Sequence, residues 1–249
     1  MTVSQFAWRV WLPLAILVLW EGLVAAGQVN PLLFPAPSHI AAVGVTLAKS
    51  GRLWPHLSAT LNRTVSGFVE GAVLGIAVGL LMGRSQRIRW SLEPLLSTLV
   101  SLPKLSLLPL LMLLLGTGEA SRVVVVAAAS FIVVALQTAD AVASIDPDFV
   151  ELARNYGARR IDLIRSVYIP ATLPQLSTGL RLGLGRALGM AIAVEILGAP
   201  FGLGTLIWVG WQTFRIEEIY IGVFIGAVFG AAFHIGMRGV ERMLVPWQR

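Results

Sequence analysis

Charged side chains inside or beside long apolar runs are the first candidates for chemistry in this sequence. Five residues fit that description: Glu70, Lys104, Arg181, Arg186 and Glu195. A charge at membrane depth is costly, so it usually faces a cavity or a partner of opposite charge. We predict that Lys104, Arg181, Arg186 and Glu195 line a path or gate across a membrane, and Lys104 is placed to meet a crossing anion. The alternative for each is an internal pair that holds helices together, and Arg63 is interpreted as an interfacial anchor.

Several other kinds of site are not expected. A phosphate-binding loop of the form Gly-x4-Gly-Lys-Ser/Thr needs a lysine after glycine, and neither Lys49 nor Lys104 follows one. The three histidines (His39, His56 and His234) lack metal-ligand spacing, and there is no cysteine. No nucleophile–base–acid set stands out. We therefore expect no catalytic residue, no metal site and no cofactor on this chain.

Composition places the chain in a membrane. It has 249 residues, of which 56% are hydrophobic and 13% charged, whereas soluble domains are about 25% charged. The net charge of +6 fits the excess of Lys and Arg in cytoplasmic loops of membrane proteins. Nucleic-acid binding is not expected, because no basic stripe is interleaved with aromatic residues. The sequence predicts an all-α integral membrane protein without a sizeable soluble domain.

Six apolar runs are predicted as transmembrane helices of a single domain over residues 1–249. They cover residues 8–26, 61–82, 92–115, 123–142, 173–197 and 219–237. Most Lys and Arg residues between the runs fall on the side of both termini, which predicts that both termini are cytoplasmic. We therefore expect a multi-pass membrane protein.

Glycines and prolines refine this prediction. Glycine recurs every four residues in the second run, which forms a stripe where another helix can approach closely; the positions are Gly67, Gly71, Gly75 and Gly79. Pro103 and Pro109 are expected to interrupt the third run. Ser38 is expected to cap a short helix over residues 39–49. Residues 198–215 are expected to form a loop.

The segment 146–170 is a charged island between two apolar runs. Asp146 and Pro147 form a helix start, because Asp accepts hydrogen bonds from free N–H groups and Pro suits the first helical position. Gly157 is the expected end of that helix, and a second short helix is predicted over residues 160–168. One face of the first helix carries Phe149, Leu152, Ala153 and Tyr156. The island therefore predicts two short helices with an apolar ridge.

The spacing of residues in this island resembles the EAA loop of permease subunits in binding-protein-dependent ABC importers. The matching pattern is Glu151-x-Ala153-x3-Gly157-x9-Val167-x-Ile169-Pro170; Leu152 stands where the loop has a second alanine. Other motifs are similar to the branch that imports nitrate, aliphatic sulfonates and taurine. They are Pro35-Ala36-Pro37-Ser38, Leu92-Glu93-Pro94, Leu102-Pro103-Lys104-Leu105-Ser106-Leu107-Leu108-Pro109-Leu110, Glu195 and Gly202-Leu203-Gly204. Leu113-Leu114-Leu115-Gly116 departs from the Trp-Phe-Gly common in that branch.

The resemblance implies a type I ABC importer permease fold in the bacterial inner membrane, with cytoplasmic coupling helices and alternating access. It implies that the following residues shape the surface that docks an ATPase: Phe149, Glu151, Ala153, Tyr156, Gly157, Ile169 and Pro170. The implied partners are an ABC ATPase dimer that binds ATP and Mg, a second copy of the permease in a homodimer, an extracytoplasmic substrate-binding protein and the lipid bilayer.

The implied substrate is a small anion such as an aliphatic sulfonate, taurine or nitrate, with pyrimidine-type vitamin precursors as the next candidate. Two other classes of function stay open at this point. A secondary transporter would work without an ATPase, but it would need a coupling-ion site and usually repeated halves, which the sequence does not display. A structural membrane scaffold would need neither buried charges nor a span broken by proline.

Overall fold

The structure, a computed structural model, describes residues 3–246, with side chains described from residue 11 onward except at Arg160. The described chain is helical throughout, with no strand in this range, as predicted. The helices are α1 (Val3–Ala25), α2 (Pro37–Lys49), α3 (Leu53–Arg84), α4 (Gln86–Ser101), α5 (Leu108–Leu115), α6 (Glu119–Ala143), α7 (Pro147–Asn155), α8 (Arg160–Leu163), α9 (Ile169–Ile196), α10 (Leu203–Gln212) and α11 (Ile216–Leu244). A 3₁₀ turn (Lys104–Leu107) precedes α5, and a π-helical turn (Ile164–Tyr168) joins α8 to α9.

Three of the described helices, α3, α6 and α11, are long and apolar enough to cross a membrane. The helices α4 and α5 meet the same criterion together, but the segments on either side of the break are bent by 95°. In α1 the apolar stretch Trp11–Ala25 is shorter. Helix α9 has 28 residues, which is long enough to span, but it is not apolar enough to meet that criterion. The arrangement of six spans therefore stays a prediction.

Contacts divide the chain into two compact units, the first comprising residues up to Ala59 with Glu195–Ala227, the second Thr60–Val194 with the chain from Val228 onward. In the second unit, α6 packs against α3 along the predicted glycine stripe. A Cβ atom on Gly67 would lie 2.6 Å from Val126 Cγ1. The stripe continues to Gly83, where a Cβ would overlap the side chain of Val142. The predicted close approach is thus confirmed, and α6 is the partner helix.

The other faces of α6 are also covered. Gly179 and Gly183 of α9 pack against Gln137 and Val134 of α6, respectively. An apolar cluster joins α6 to α5 and α9; its buried members are Leu108, Val125, Val126, Ala187, Ala191 and Val194. A second cluster joins α6 to α3 and α4; its buried members are Met82, Leu96, Ile132, Ala135 and Ala139. Helix α6 is therefore the central element of this unit.

The first unit corrects the prediction for Ser38. Its core consists of Ile40, Leu47, Leu53, Leu206 and Ile221. Helix α2 begins at Pro37, with Ala36 as the residue before it and no side-chain cap. Ser38 Oγ instead donates to Glu21 Oε1 at 2.6 Å, and Ser38 N donates to Glu21 Oε2 at 3.0 Å. Ser38 thus lies inside the helix, where its own N–H and hydroxyl bind the carboxylate of a neighbouring helix and Ile40 N donates to Ala36 O, so the predicted cap is wrong.

The prediction of a loop over 198–215 is also wrong, because α10 occupies its middle. Gly202 adopts a φ of +147°, a conformation that glycine alone adopts readily. The Glu195 carboxylate then accepts a hydrogen bond from Gly204 N at 2.9 Å, which satisfies a free donor of the first turn. Leu203 and Leu206 of this helix are buried. The two glycines thus start a helix rather than mark a loop.

The prolines of the later runs behave differently from one another. The chain breaks at Pro103, as predicted, between α4 and the 3₁₀ turn. Pro109 lies in the first turn of α5, where no N–H donor is required, so it does not interrupt that helix. Helix α9 begins at Ile169 rather than Leu173, so Pro170 lies in its first turn and Pro174 inside it.

Candidate coupling surface and path residues

Helix α7 has the local structure that the sequence predicts. Asp146 Oδ1 accepts a hydrogen bond from Asp148 N at 3.0 Å, and Pro147 occupies the first turn. At the other end Gly157 has a φ of +82°. Its N–H donates to Arg154 O at 2.9 Å, while Ala158 N donates to Ala153 O at 3.0 Å. Both ends of α7 are therefore fixed by the residues that predicted them.

The second helix of the island differs from its prediction. Only residues 160–163 are α-helical, and the next five form a π-helical turn. Ile169 follows in helical conformation, so α8, the π turn and α9 form one uninterrupted helical path. Leu163 is buried, whereas Ile161 and Ile164 are exposed. The segment after Gly157 is therefore the start of the long helix α9 rather than a separate surface helix.

The predicted apolar ridge lies on the surface of α7. The exposed fractions are 63% for Phe149, 56% for Leu152 and 86% for Tyr156. Glu151 is exposed beside them, and Ala153 is half-buried. At the far end of the segment Ile169 is exposed and Pro170 half-buried. Three large apolar side chains without cover on one short helix constitute a surface suited to docking a partner.

The structure separates the four predicted path residues into two kinds. Arg181 and Glu195 are engaged inside their own units. The Arg181 guanidinium forms an ion pair with Glu241 of α11. Glu195 is only 1% exposed and receives the α10 hydrogen bond described above. Both side chains therefore fit the internal pairing that the sequence left open as the alternative.

Lys104 and Arg186 have no such role. Lys104 is half-buried, and its Nζ donates to Val100 O at 3.0 Å. Arg186 is exposed on α9. The turn that carries Lys104 and the part of α9 that carries Arg186 pack against the same apolar cluster. Glu70 is exposed on α3.

An ion cluster of two buried arginines and an exposed glutamate at the start of α6 was missed by the interpretation of Arg63 as an interfacial anchor. Arg63 is 2% exposed, and its Nε and Nη2 donate to the two carboxylate oxygens of Glu119 at 2.6 and 2.8 Å. Arg122 Nη1 donates to the same carboxylate at 3.2 Å. Such forked bonds are strong and geometrically specific. The sequence gave no sign of this contact, because Arg63 and its partner Glu119 are 56 positions apart in the chain.

Within residues 3–246, no group of three His, Asp or Glu side chains is placed to hold a metal ion. The features that remain for function are therefore the ridge on α7 and the two cations near the break in the third run.

Known proteins that are similar to this chain are components of membrane transport systems. Residues 71–249 match the family described as binding-protein-dependent transport system inner membrane component. The taurine transport system permease protein of Escherichia coli K12 is 29% identical, covering 93% of this chain and 86% of that protein. A putative aliphatic sulfonates transport permease protein of Bacillus subtilis 168 is 33% identical, with coverages of 95% and 86%.

A riboflavin transport system permease protein of Chloroflexus aurantiacus is 29% identical, covering 99% of this chain and 94% of that protein. Among solved structures, an inward-facing form of the MetNI methionine ABC transporter has a chain with a TM-score of 0.65 and 22% identity. The match covers 78% of this chain and 96% of that chain. At this identity the likeness establishes the fold, which is that of type I ABC importer permeases.

Proposed function

This chain belongs to the family of binding-protein-dependent transport system inner membrane components, and from that premise we propose that it is the permease subunit of an ATP-driven importer for a sulfonate-like nutrient. ATP and Mg are bound by a separate ATPase dimer, which docks on the segment 146–170. An extracytoplasmic binding protein delivers the solute. This chain forms the path for the solute and transmits the movement of the ATPase to it, and it catalyses no reaction itself.

The observation that carries this proposal is the exposed ridge of α7. Phe149, Leu152 and Tyr156 follow the spacing i, i+3, i+7, which places them along one helical face. The capped ends give the ridge a fixed shape before any partner arrives, and preorganisation lowers the cost of binding. Aromatic side chains held in this way are the residues that most often dominate the energy of an interface.

The continuous path from α8 to α9 supports the coupling role. A force on the docked ridge reaches α8 through the four-residue turn 156–159 that contains Gly157, and from α8 the helical path continues through the π-helical turn into α9. Helix α9 then packs closely on α6 at Gly179 and Gly183. We propose that closure of the ATPase dimer moves this path and opens the permease outward, and that hydrolysis returns it. The ATPase-docking residues remain Phe149, Glu151, Ala153, Tyr156, Gly157, Ile169 and Pro170.

The relatives support a sulfonate-like solute over the other candidates. Two of them are named as permeases for taurine and for aliphatic sulfonates, and both solutes carry a sulfonate group. The riboflavin permease is the reason to test a second solute class. Membership of a binding-protein-dependent family also disfavours a secondary transporter or a structural scaffold. Assembly as a homodimer, with both termini in the cytoplasm, completes the proposal.

The proposal is tested by affinity purification of a tagged permease from its native host, followed by identification of any ABC ATPase and binding protein that it retains. Burying about 100 Å² of an aromatic side chain stabilises a complex by about 2.5 kcal/mol. We therefore expect Tyr156→Asn to weaken retention of the ATPase more than tenfold. Gly157→Arg and Glu151→Lys should likewise lose the ATPase or uncouple uptake of ethanesulfonate from ATP hydrolysis.

Phe214→Asn is the matched control. Phe214 is an aromatic residue as exposed as Tyr156, at 86%, but it lies outside the segment 146–170, so its replacement should leave retention of the ATPase unchanged. Wild-type retention and uptake in the Tyr156, Gly157 and Glu151 variants would remove the docking assignment. A purified permease that transports without any ATPase would instead support the secondary-transporter alternative.

A further inference from the structure

Among the cations inside the predicted apolar runs of the second unit, Lys104 and Arg186 form no ion pair with a carboxylate in the described part of the chain. Arg63, Arg89 and Arg181 each form an ion pair with Asp or Glu there. Lys104 reaches only a backbone carbonyl, and no hydrogen bond or ion pair of Arg186 occurs among the described residues. Two positive charges are thus left uncompensated close to one another.

The packing of the second unit holds these two cations near each other. Leu105, next to Lys104, packs against the apolar cluster that contains Leu108 and Ala187. Ala187 is the neighbour of Arg186, so the 3₁₀ turn and the middle of α9 meet at this cluster. The backbone segments that carry the two cations are therefore held together by buried apolar contacts.

Both cations lie beside exposed residues of the second unit. Arg186 lies on an exposed strip of α9 with Leu182 and Gly189, and a Cβ on Gly189 would meet nothing within 4 Å. Beside Lys104, the non-helical backbone at Leu102 and Pro103 is also exposed. Unpaired charges and irregular backbone at membrane depth are tolerated where they line a water-filled space or are buried in protein.

We propose that Lys104 and Arg186 together bind the oxyanion group of the transported solute, such as a sulfonate, on its way through the permease. This inference rests on the proposed function and names the residues that would select its substrate class. The planar guanidinium offers two parallel N–H donors to two oxygens, and the ammonium adds a point charge. An anion between them also relieves the repulsion that the empty pair carries.

The absence of cysteine from the sequence permits a test that does not depend on transport. Lys104→Cys is introduced into the assembled complex in native membranes. It is then treated with an anionic reagent, sulfonatoethyl methanethiosulfonate, or a cationic one, trimethylammonioethyl methanethiosulfonate. We expect the anionic reagent to be favoured, and Arg186→Gln to lower the ratio of the two rates about tenfold, which corresponds to about 1.4 kcal/mol.

Two controls keep this test decisive. Arg186→Lys should preserve the ratio because it keeps the charge, and Arg215→Gln should preserve it because Arg215 pairs with Glu218 elsewhere. Where Lys104→Cys does not assemble, Arg186→Cys is labelled with and without Lys104→Gln. A ratio that does not respond to removal of the other cation overturns the inference, as does a cysteine that neither reagent reaches.

Uptake of labelled ethanesulfonate gives a second measurement. Lys104→Gln and Arg186→Gln should raise KM about tenfold while the ATPase still copurifies, and Lys104→Arg should restore KM. Unchanged KM in both glutamine variants overturns the anion site and leaves the importer assignment intact. Failure of the wild-type permease to retain an ATPase contradicts the importer assignment itself, and the labelling ratio still decides whether the two cations attract an anion.

Discussion

The contact between α3 and α6 leaves no room for a side chain at Gly71, and this makes a strong prediction for Gly71→Ala. A Cβ atom there would overlap Ser130 Oγ and Ala127 O and would lie 2.9 Å from Phe131 N. Carbon atoms pack at about 3.5–4.0 Å, and two of these three obstacles are backbone atoms that cannot rotate away. The helices must therefore separate locally.

The magnitude follows from two opposing terms. Overpacking of a tight contact costs about 1–3 kcal/mol, and alanine recovers up to about 1 kcal/mol of helix propensity relative to glycine. We expect a net loss of about 2 kcal/mol, which lowers the unfolding temperature by about 4–8 °C for a domain of this size. Ser130→Ala should restore only part of the loss, because the Ala127 carbonyl remains.

The assay is the fraction of fluorescently tagged permease that stays monodisperse in detergent after heating. Gly236→Ala is the matched control: Gly236 also lies inside a long apolar helix, but a Cβ there would meet nothing within 4 Å. The control should not lower the unfolding temperature. If Gly71→Ala and Gly236→Ala unfold at the same temperature as the wild type, the close α3–α6 contact is refuted.

Two further predictions use the same assay. Glu119→Gln should destabilise the permease by about 2 kcal/mol, because charge-assisted hydrogen bonds contribute about 1.5–3 kcal/mol and Arg63 is buried; an unchanged unfolding temperature would mean that the bidentate pair does not form. Gly202→Ala should be more damaging than Gly51→Ala, since both have positive φ but only at Gly202 would the new Cβ overlap the Glu195 carboxylate. Equal effects would contradict the placement of that carboxylate.

Features with short-range causes could be read from the sequence. Asp146, Pro147 and Gly157 act on backbone groups within a few residues, so α7 begins and ends as predicted. The glycine stripe predicted a close helix contact for the same reason: four-residue spacing determines one face of α3. It could not identify α6 as the partner, because nothing in the local pattern depends on which helix approaches.

The predictions were wrong where a feature depends on residues that are distant in the sequence. Ser38 is a good local cap, but Glu21 lies on another helix and takes the hydrogen bonds at the start of α2. The glycines at 202 and 204 favour a loop locally, whereas the buried carboxylate of Glu195 and the apolar face of α10 stabilise a helix. Arg63 has no local sign of burial, because its partner Glu119 lies at the start of α6.

The candidate site also contains features with local causes, which could be predicted, and features with distant causes, which could not. The docking ridge could be predicted, since its residues share one short helix and its pattern has a family resemblance. The four path residues could be found as charges in apolar runs, but their roles could not be separated. Only the packing of the second unit distinguishes Arg181, which pairs with Glu241, from Arg186, whose helix packs on the same apolar cluster as the turn that carries Lys104.

The central claim, that the ridge on α7 docks an ATPase, is tested most directly by photocrosslinking. A benzophenone amino acid at position 156 of the permease, in membranes that contain the co-expressed ATPase, should produce a covalent permease–ATPase adduct. The same amino acid at position 214, where the exposure is equal, should produce none. An adduct at both positions, or at position 214 alone, would contradict the account, as would the absence of an adduct at position 156 in a complex that transports.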